Sequence, residues 1–344
     1  MASRRAVVVG GAAFAALGAW GPERAGLRAG QHTDTSNPAP SPPSPILTFA
    51  PRYIAARDGT RLRTAVFEAA SPRGVCVLLS GQGEFIEKYV EVIGELKARG
   101  FTVATFDWRG QGGSARPLPD PLKIYVRDFA EYDDDLASFL DQVVKPIAHR
   151  PLVLAHSMGG HILLRRLHDR PGDFRAAALT APMLALQTRG YPLWMVRTVP
   201  AIYGALGQAD DFAWGMDRDP LTVDFDHQLC TSDRARYART RRIIAARPSL
   251  RVAGPTWAWI AAAWRSMAAI AAPGYAEAIR LPALYAGAGR DRVARVEVGR
   301  RFAAQLPHAA YVELKDAQHE ILMEKDSIRA RFWTAFDAFT ARLA

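Results

Sequence analysis

Residues 152–160 read LVLAHSMGG, so an apolar run passes straight into a glycine-bearing segment that opens a helix at Met158. A strand that turns into a helix without an intervening loop leaves little room at the bend. Side chains two positions either side of its apex would strike the crossing backbone, so both positions must be small. Here they are Ala155 and Gly159, and Gly160 lets the helix pack close to the strand. The apex residue, Ser157, is thereby lifted above the sheet edge, and the N–H of Met158 is aimed into the same space.

The rest of the chain supplies the strands and helices that such a turn requires. Residues 52–56 and 61–68 flank Asp58-Gly59 and predict a hairpin. A continuous apolar run at 75–79 predicts a strand buried on both faces, 101–106 predicts another buried strand, and 152–155, 176–179, 283–286 and 310–314 predict the further strands of the alternation. Helical patterns occupy 89–99, 129–144, 158–167, 296–306 and 320–343, with Gly100 and Pro146 as stop signals. Between residues 183 and 273 the alternation lapses into an aromatic- and Arg-rich stretch with no strand pattern. The fold class predicted is α/β: one doubly wound, mostly parallel sheet of about eight strands, with a helical lid inserted after strand six. The core then comprises 46–182 and 274–344, and the lid 183–273.

Ahead of this core, residues 37–45 (NPAPSPPSP) predict an extended linker, so that the folded part begins near Ile46. Arg4-Arg5 before the apolar stretch 6–20 has the layout of a twin-arginine export signal to the periplasm. The stretch is also compatible with a weak membrane anchor or a misassigned start, and is short for a transmembrane helix. Residues 1–45 are accordingly read as a signal or anchor segment plus linker, with cytoplasmic or membrane-associated placement read ahead of export.

The chain has 44 Lys and Arg against 34 Asp and Glu, a net +10, but its basic residues are dispersed among acids. That pattern argues against nucleic-acid binding. The two cysteines, Cys76 and Cys230, are read as structural thiols, and no His or Cys spacing suggests a metal or any cofactor.

A serine hydroxyl needs a base to take its proton and donors to stabilise an oxyanion. For a serine on this kind of turn, the expected order is serine, acid, histidine. Asp291 follows the strand at 283–286 and is the expected acid; His319 follows the last strand and is the expected base. Asp316 is the alternative acid, but it lies too close in sequence to orient His319 well. His156, adjacent to Ser157, is expected to point away from it and to pack or hydrogen-bond nearby. The loop Ser80-Gly81-Gln82-Gly83-Glu84 offers the Gln82 N–H as partner to that of Met158 in an oxyanion hole. The blander reading of Ser157 is a helix N-cap.

These segments together resemble the monoglyceride-lipase and lysophospholipase branch of the α/β-hydrolases, which includes serine aminopeptidase-type domains. The loop 80–84 is similar to that branch's H-G-x-G-E, with Ser80 in place of histidine. Residues 106–114 (FDWRGQGGS) resemble its D-x-R-G-x-G-x-S segment, which braces the neighbouring loop; 156–160 resemble its serine turn, and 318–324 (QHEILME) its histidine loop. Within the lid, 229–233 with Arg236 and Tyr237, and 254–256 with Trp259, are closer to the bacterial lysophospholipases. The resemblance spans residues 53–339 and implies an ester hydrolase acting on a lysophospholipid or monoacylglycerol through an acyl-enzyme. Another small acyl substrate, an N-terminal amino acid included, or a non-catalytic binding module are the competing expectations.

Five of the eight tryptophans (Trp194, Trp214, Trp257, Trp259 and Trp264) fall in the lid, either to line an acyl site or to pack its helices. Arg234, Arg236, Arg239, Arg241 and Arg242 are read as a solvated helix face or as a contact to lipid phosphate at a membrane surface.

Overall fold

A computed structural model describes residues 49–343 apart from Arg189. The expected export or anchor segment, the linker and the start near Ile46 lie outside the described residues.

The sheet has eight strands: β1 (Arg52–Ala55), β2 (Arg61–Phe67), β3 (Gly74–Leu79), β4 (Phe101–Phe106), β5 (Leu152–His156), β6 (Ala176–Thr180), β7 (Ala283–Ala288) and β8 (Ala309–Leu314). Their order across the sheet is β1-β2-β4-β3-β5-β6-β7-β8. The β1–β2 and β2–β4 pairs are antiparallel and every other pair is parallel. Strands β4, β5, β6 and β7 are buried along their whole length, as crossover helices on both faces require. Alternate side chains of β3 feed the two cores: Val77 and Leu79 join Trp108, Phe129 and Leu136 on one face, while Cys76 and Leu78 join Leu96, Phe332 and Phe336 on the other.

The helices of the core are α1 (Val90–Ala98), α2 (Ala130–Phe139), α3 (Ser157–Asp169), α8 (Val296–Gln305) and α9 (Asp326–Ala341). Between β6 and β7 come α4 (Leu193–Ala205), α5 (Arg234–Ala246), α6 (Trp257–Ile270) and the short α7 (Tyr275–Ala278). The expected helix 129–144 is divided, since α2 gives way to a π turn at Leu140–Val144. The expected terminal helix 320–343 begins later, because Ile321–Met323 form a 3₁₀ turn and Glu324 bends its side chain back to the Gln318 N–H. A two-residue parallel ladder, Lys123–Ile124 with Gly254–Pro255, ties the insertion to the segment after β4. Two residues are too few to show a period, so the sequence gives no sign of it.

Candidate active site

The turn at Ser157 is built as its neighbours demand. Ser157 takes φ +49°, a left-handed conformation that costs a non-glycine residue free energy. Ala155 in the usual glycine position is accommodated in the core. Gly159 is obligatory, because a Cβ there would lie 2.5 Å from the carbonyl oxygen of Ser80. At Gly160 a Cβ would approach Pro182 to 2.9 Å. The serine turn is therefore pressed directly against the end of β3 and the loop 80–84.

Three loops at this sheet edge bring Ser157, Asp291 and His319 into one line. His319 Nδ1 lies 2.7 Å from Asp291 Oδ2, and His319 Nε2 lies 2.8 Å from Ser157 Oγ. A carboxylate only accepts, so Nδ1 carries the proton and Nε2 is left to accept from the serine hydroxyl. Asp291 is held in turn: its Oδ1 accepts the N–H groups of Val293 and Ala294, both at 2.8 Å. Burial pushes the Asp291 carboxyl up, but His319 and these donors outweigh it and hold it below its ordinary value. Burial likewise disfavours the His319 imidazolium, yet the facing Asp291 carboxylate raises its pKa above the ordinary histidine value. The line is shielded from water, Ser157 being only 7% exposed. Asp316 points elsewhere, pairing with Arg290 at 3.0 Å on the exposed side. His156 turns away from the serine, with Nδ1 3.0 Å from the Thr180 carbonyl oxygen, and its ring sits 5.0 Å from that of His319.

In the loop 80–84, the Gly81 N–H donates to Glu84 Oε2 at 2.5 Å and the Gly83 N–H to Gln111 Oε1 at 3.0 Å. Among the described residues, the N–H of Gln82 between them has no intramolecular acceptor. The N–H of Met158 lies in the first turn of α3, where no helical acceptor exists. The segment 106–114 cradles this loop: Gln111 Nε2 donates to the carbonyls of Gly81 (2.8 Å) and Glu84 (3.0 Å), Trp108 Nε1 to that of Ser80 (2.9 Å), and Asp107 Oδ1 accepts from Ile86 N (2.9 Å). Gly112, at φ +55°, leaves the space that Asp107 fills, since a Cβ there would lie 2.2 Å from its carboxyl carbon. Ser80, in the position of the family's histidine, is buried with its hydroxyl unpartnered among the described residues.

Several residues around the line had no role assigned from the sequence, although Glu84, Glu320 and Glu324 lie within its motifs. Lys88 lies 2.7 Å from both Glu84 and Glu320, and the Tyr89 hydroxyl donates to Glu84 at 2.5 Å. Glu324 joins the histidine loop to the insertion, accepting from Gln318 N at 2.7 Å and Ser232 N at 3.1 Å.

The insertion's aromatic residues divide. Trp257 and Trp259 are buried, Trp259 Nε1 donating to Tyr132 at 3.1 Å, and Trp264 packs on the core. Trp214 is bonded to Tyr203 at 3.1 Å, whereas Trp194 is 66% exposed. The arginine cluster divides: Arg234 and Arg242 are exposed, while the other three are tied down. Arg236 and Arg239 pair with Glu91 of α1 at 2.7 and 2.8 Å, and Arg241 donates to the carbonyls of Leu221 and Val223.

Strand order, the strained serine at a strand–helix turn and the insertion after the sixth strand define an α/β-hydrolase, and the chain is a serine hydrolase of that class. A family model, Hydrolase_4 (serine aminopeptidase, S33), matches residues 70–326, and the chain belongs to that family. It is 35% identical to lysophospholipase L2 of Escherichia coli over 282 residues, 79% of this chain and 82% of that protein. Among solved structures, the fold is similar to monoglyceride lipase of Saccharomyces cerevisiae (TM-score 0.67, 17% identity, 88% of this chain and 98% of that one). It is also similar to monoacylglycerol lipase of Paleococcus ferrophilus (TM-score 0.63, 22% identity, 81% and 98%).

Proposed function

We propose that this chain hydrolyses the ester of a lysophospholipid or monoacylglycerol through a Ser157 acyl-enzyme. The observation that carries the reading is the buried line Asp291–His319–Ser157, with contacts of 2.7 and 2.8 Å. Ser157 attacks the ester carbonyl while His319 accepts its proton and later returns it to the leaving alcohol; Asp291 holds the imidazolium. The N–H groups of Gln82 and Met158 receive the oxyanion. The substrate class is supported by the likeness to lysophospholipase L2 and by α4, which turns Leu193, Trp194 and Ile202 to solvent, with Leu206 exposed just beyond it. Exposed apolar side chains at that density suit contact with a lipid surface.

Labelling with a fluorophosphonate probe tests the nucleophile. Wild type labels, Ser157→Ala does not, and Asp291→Asn retains the site with kcat lowered by about 10³- to 10⁴-fold. Label that persists in Ser157→Ala moves the nucleophile elsewhere. A panel of lysophospholipids, monoacylglycerols, short esters and aminoacyl amides tests the substrate; preference for the amides would overturn the lipid reading. Because His319 must be neutral to accept a proton and its pKa is raised, kcat/KM falls on the acid side with a midpoint above 6.5. A midpoint below that value contradicts the role given to Asp291.

A further inference from the structure

Beneath the proposed base lies a buried charged trio that the reaction above does not use. Lys88 sits between Glu84 Oε1 and Glu320 Oε1, 2.7 Å from each, and its side chain is 9% exposed. Glu84 belongs to the loop that carries the Gln82 N–H, and its other oxygen accepts from Gly81 N and Tyr89 Oη. Glu320 immediately follows His319, and its own N–H donates to the Cys230 carbonyl of the insertion at 2.7 Å. Burying such a group of charges costs free energy that an apolar replacement would not. A lysine placed there connects two loops which no strand pairing joins.

Building on the proposed mechanism, we infer that Lys88 is a positioning residue, holding the oxyanion loop and the histidine loop in register so that the Gln82 N–H and His319 face the same carbonyl. Several titratable groups surround it. Glu84 and Tyr89 come from its own segment, Glu320 and His319 from the histidine loop, His156 from the end of β5, and Cys230 from the insertion. Burial pushes the Glu84 carboxyl up, but Lys88, then His156 and the hydrogen-bond donors, hold it well below its ordinary value. Without the ammonium, Glu84 and Glu320 both face His319 uncompensated, which favours the imidazolium.

The test uses the whole chain, a soluble p-nitrophenyl ester, and kcat per fluorophosphonate-reactive site. Lys88→Met lowers kcat about 10- to 100-fold with KM little changed, as expected for loops out of register by a fraction of an ångström to about 1 Å. Its acid limb moves to higher pH. Lys88→Arg keeps the charge and restores most of kcat and the wild-type limb. Glu320→Gln, which serves if Lys88→Met does not fold, also lowers kcat but moves the limb to lower pH, because a negative charge has left the side of His319. The limb shifts report the charges beside His319, whereas loss of kcat per reactive site and its return in Lys88→Arg report the positioning of the two loops. Folded Lys88→Met with wild-type kcat and limb, or Glu320→Gln with neither change, overturns the inference alone. Wild type that neither labels nor turns over removes the catalytic reading, and this inference falls with it.

Discussion

Helices α4 and α5 both belong to the insertion, yet they are held in opposite ways. Helix α5 is secured by directional, charged contacts. Asp233 caps it by accepting from Arg236 N at 2.8 Å, and the Arg236 guanidinium reaches Glu91 (2.7 Å), Asp233 (2.9 Å), Asp326 (2.5 Å) and the Glu324 carbonyl (2.8 Å). Beside it, Thr231 Oγ1 donates to the Met323 carbonyl at 2.7 Å, and Ser232 to the Glu324 carboxylate. Helix α4 has an aromatic hold instead: Tyr203 stacks on Trp257 at 4.5 Å between ring centroids. Met195, Val196 and Val199 are half-buried and Pro200 is buried, while Leu193, Trp194 and Ile202 face outward, with Leu206 just beyond the helix 67% exposed. Directional bonds fix a geometry, whereas a stacked ring tolerates sliding. The half of the insertion beside the histidine loop is therefore part of the site's scaffold, and the α4 half is the part free to meet an apolar surface.

The contrast can be broken from either side. Arg236→Ala removes the guanidinium that bridges Glu91, Asp233 and the Glu324 carbonyl, Arg239 staying 2.8 Å from Glu91, and is expected to cost about 1.5–3 kcal/mol, read from denaturant unfolding. A loss below about 0.5 kcal/mol would show that α5 is not anchored there. Glu324→Gln keeps the shape but removes the charge that Gln318 and Ser232 bond to, costing about 1–3 kcal/mol. It should also lower kcat on a soluble ester, since Gln318 adjoins His319; an unchanged kcat would mean that the histidine loop holds itself. The smallest change in stability belongs to α4. Trp194→Ser with Leu206→Ser should alter unfolding by less than about 0.5 kcal/mol and leave soluble-ester kinetics alone, while weakening sedimentation with anionic lipid vesicles several-fold. Unaltered vesicle binding would remove the lipid-surface role from this half.

How much of this was legible depended on how local the cause was. The strands at 75–79 and 101–106 appear in the structure within one residue at either end, because burial on both faces leaves a run without charged residues, wholly apolar in the first and interrupted only by Thr102 and Thr105 in the second. Ser157, Asp291 and His319 were each picked out by position at the end of a strand, and the structure brings all three together. The insertion was opaque. Arg236 read as helix surface or lipid contact and Trp259 as acyl lining or helix packing; they serve as an ion-pair anchor and a core side chain. Their partners, Glu91 and Tyr132, lie more than a hundred residues earlier in the chain, and no periodicity encodes such a meeting.

The sequence by itself determined the alternation of strands and helices, the small residues around Ser157 and the order serine, acid, histidine. The first two rest on period and on short-range sterics, which neighbouring residues carry, and the third on the order in which the chain visits the strand ends. Only the tertiary structure decided that Lys88 is buried between two glutamates, that α5 is ion-paired to the core, and that α4 shows part of its apolar side to solvent. A charged or apolar side chain is stable on either side of the surface until its partner is known. The partners here converge through the folded sheet and not along the chain.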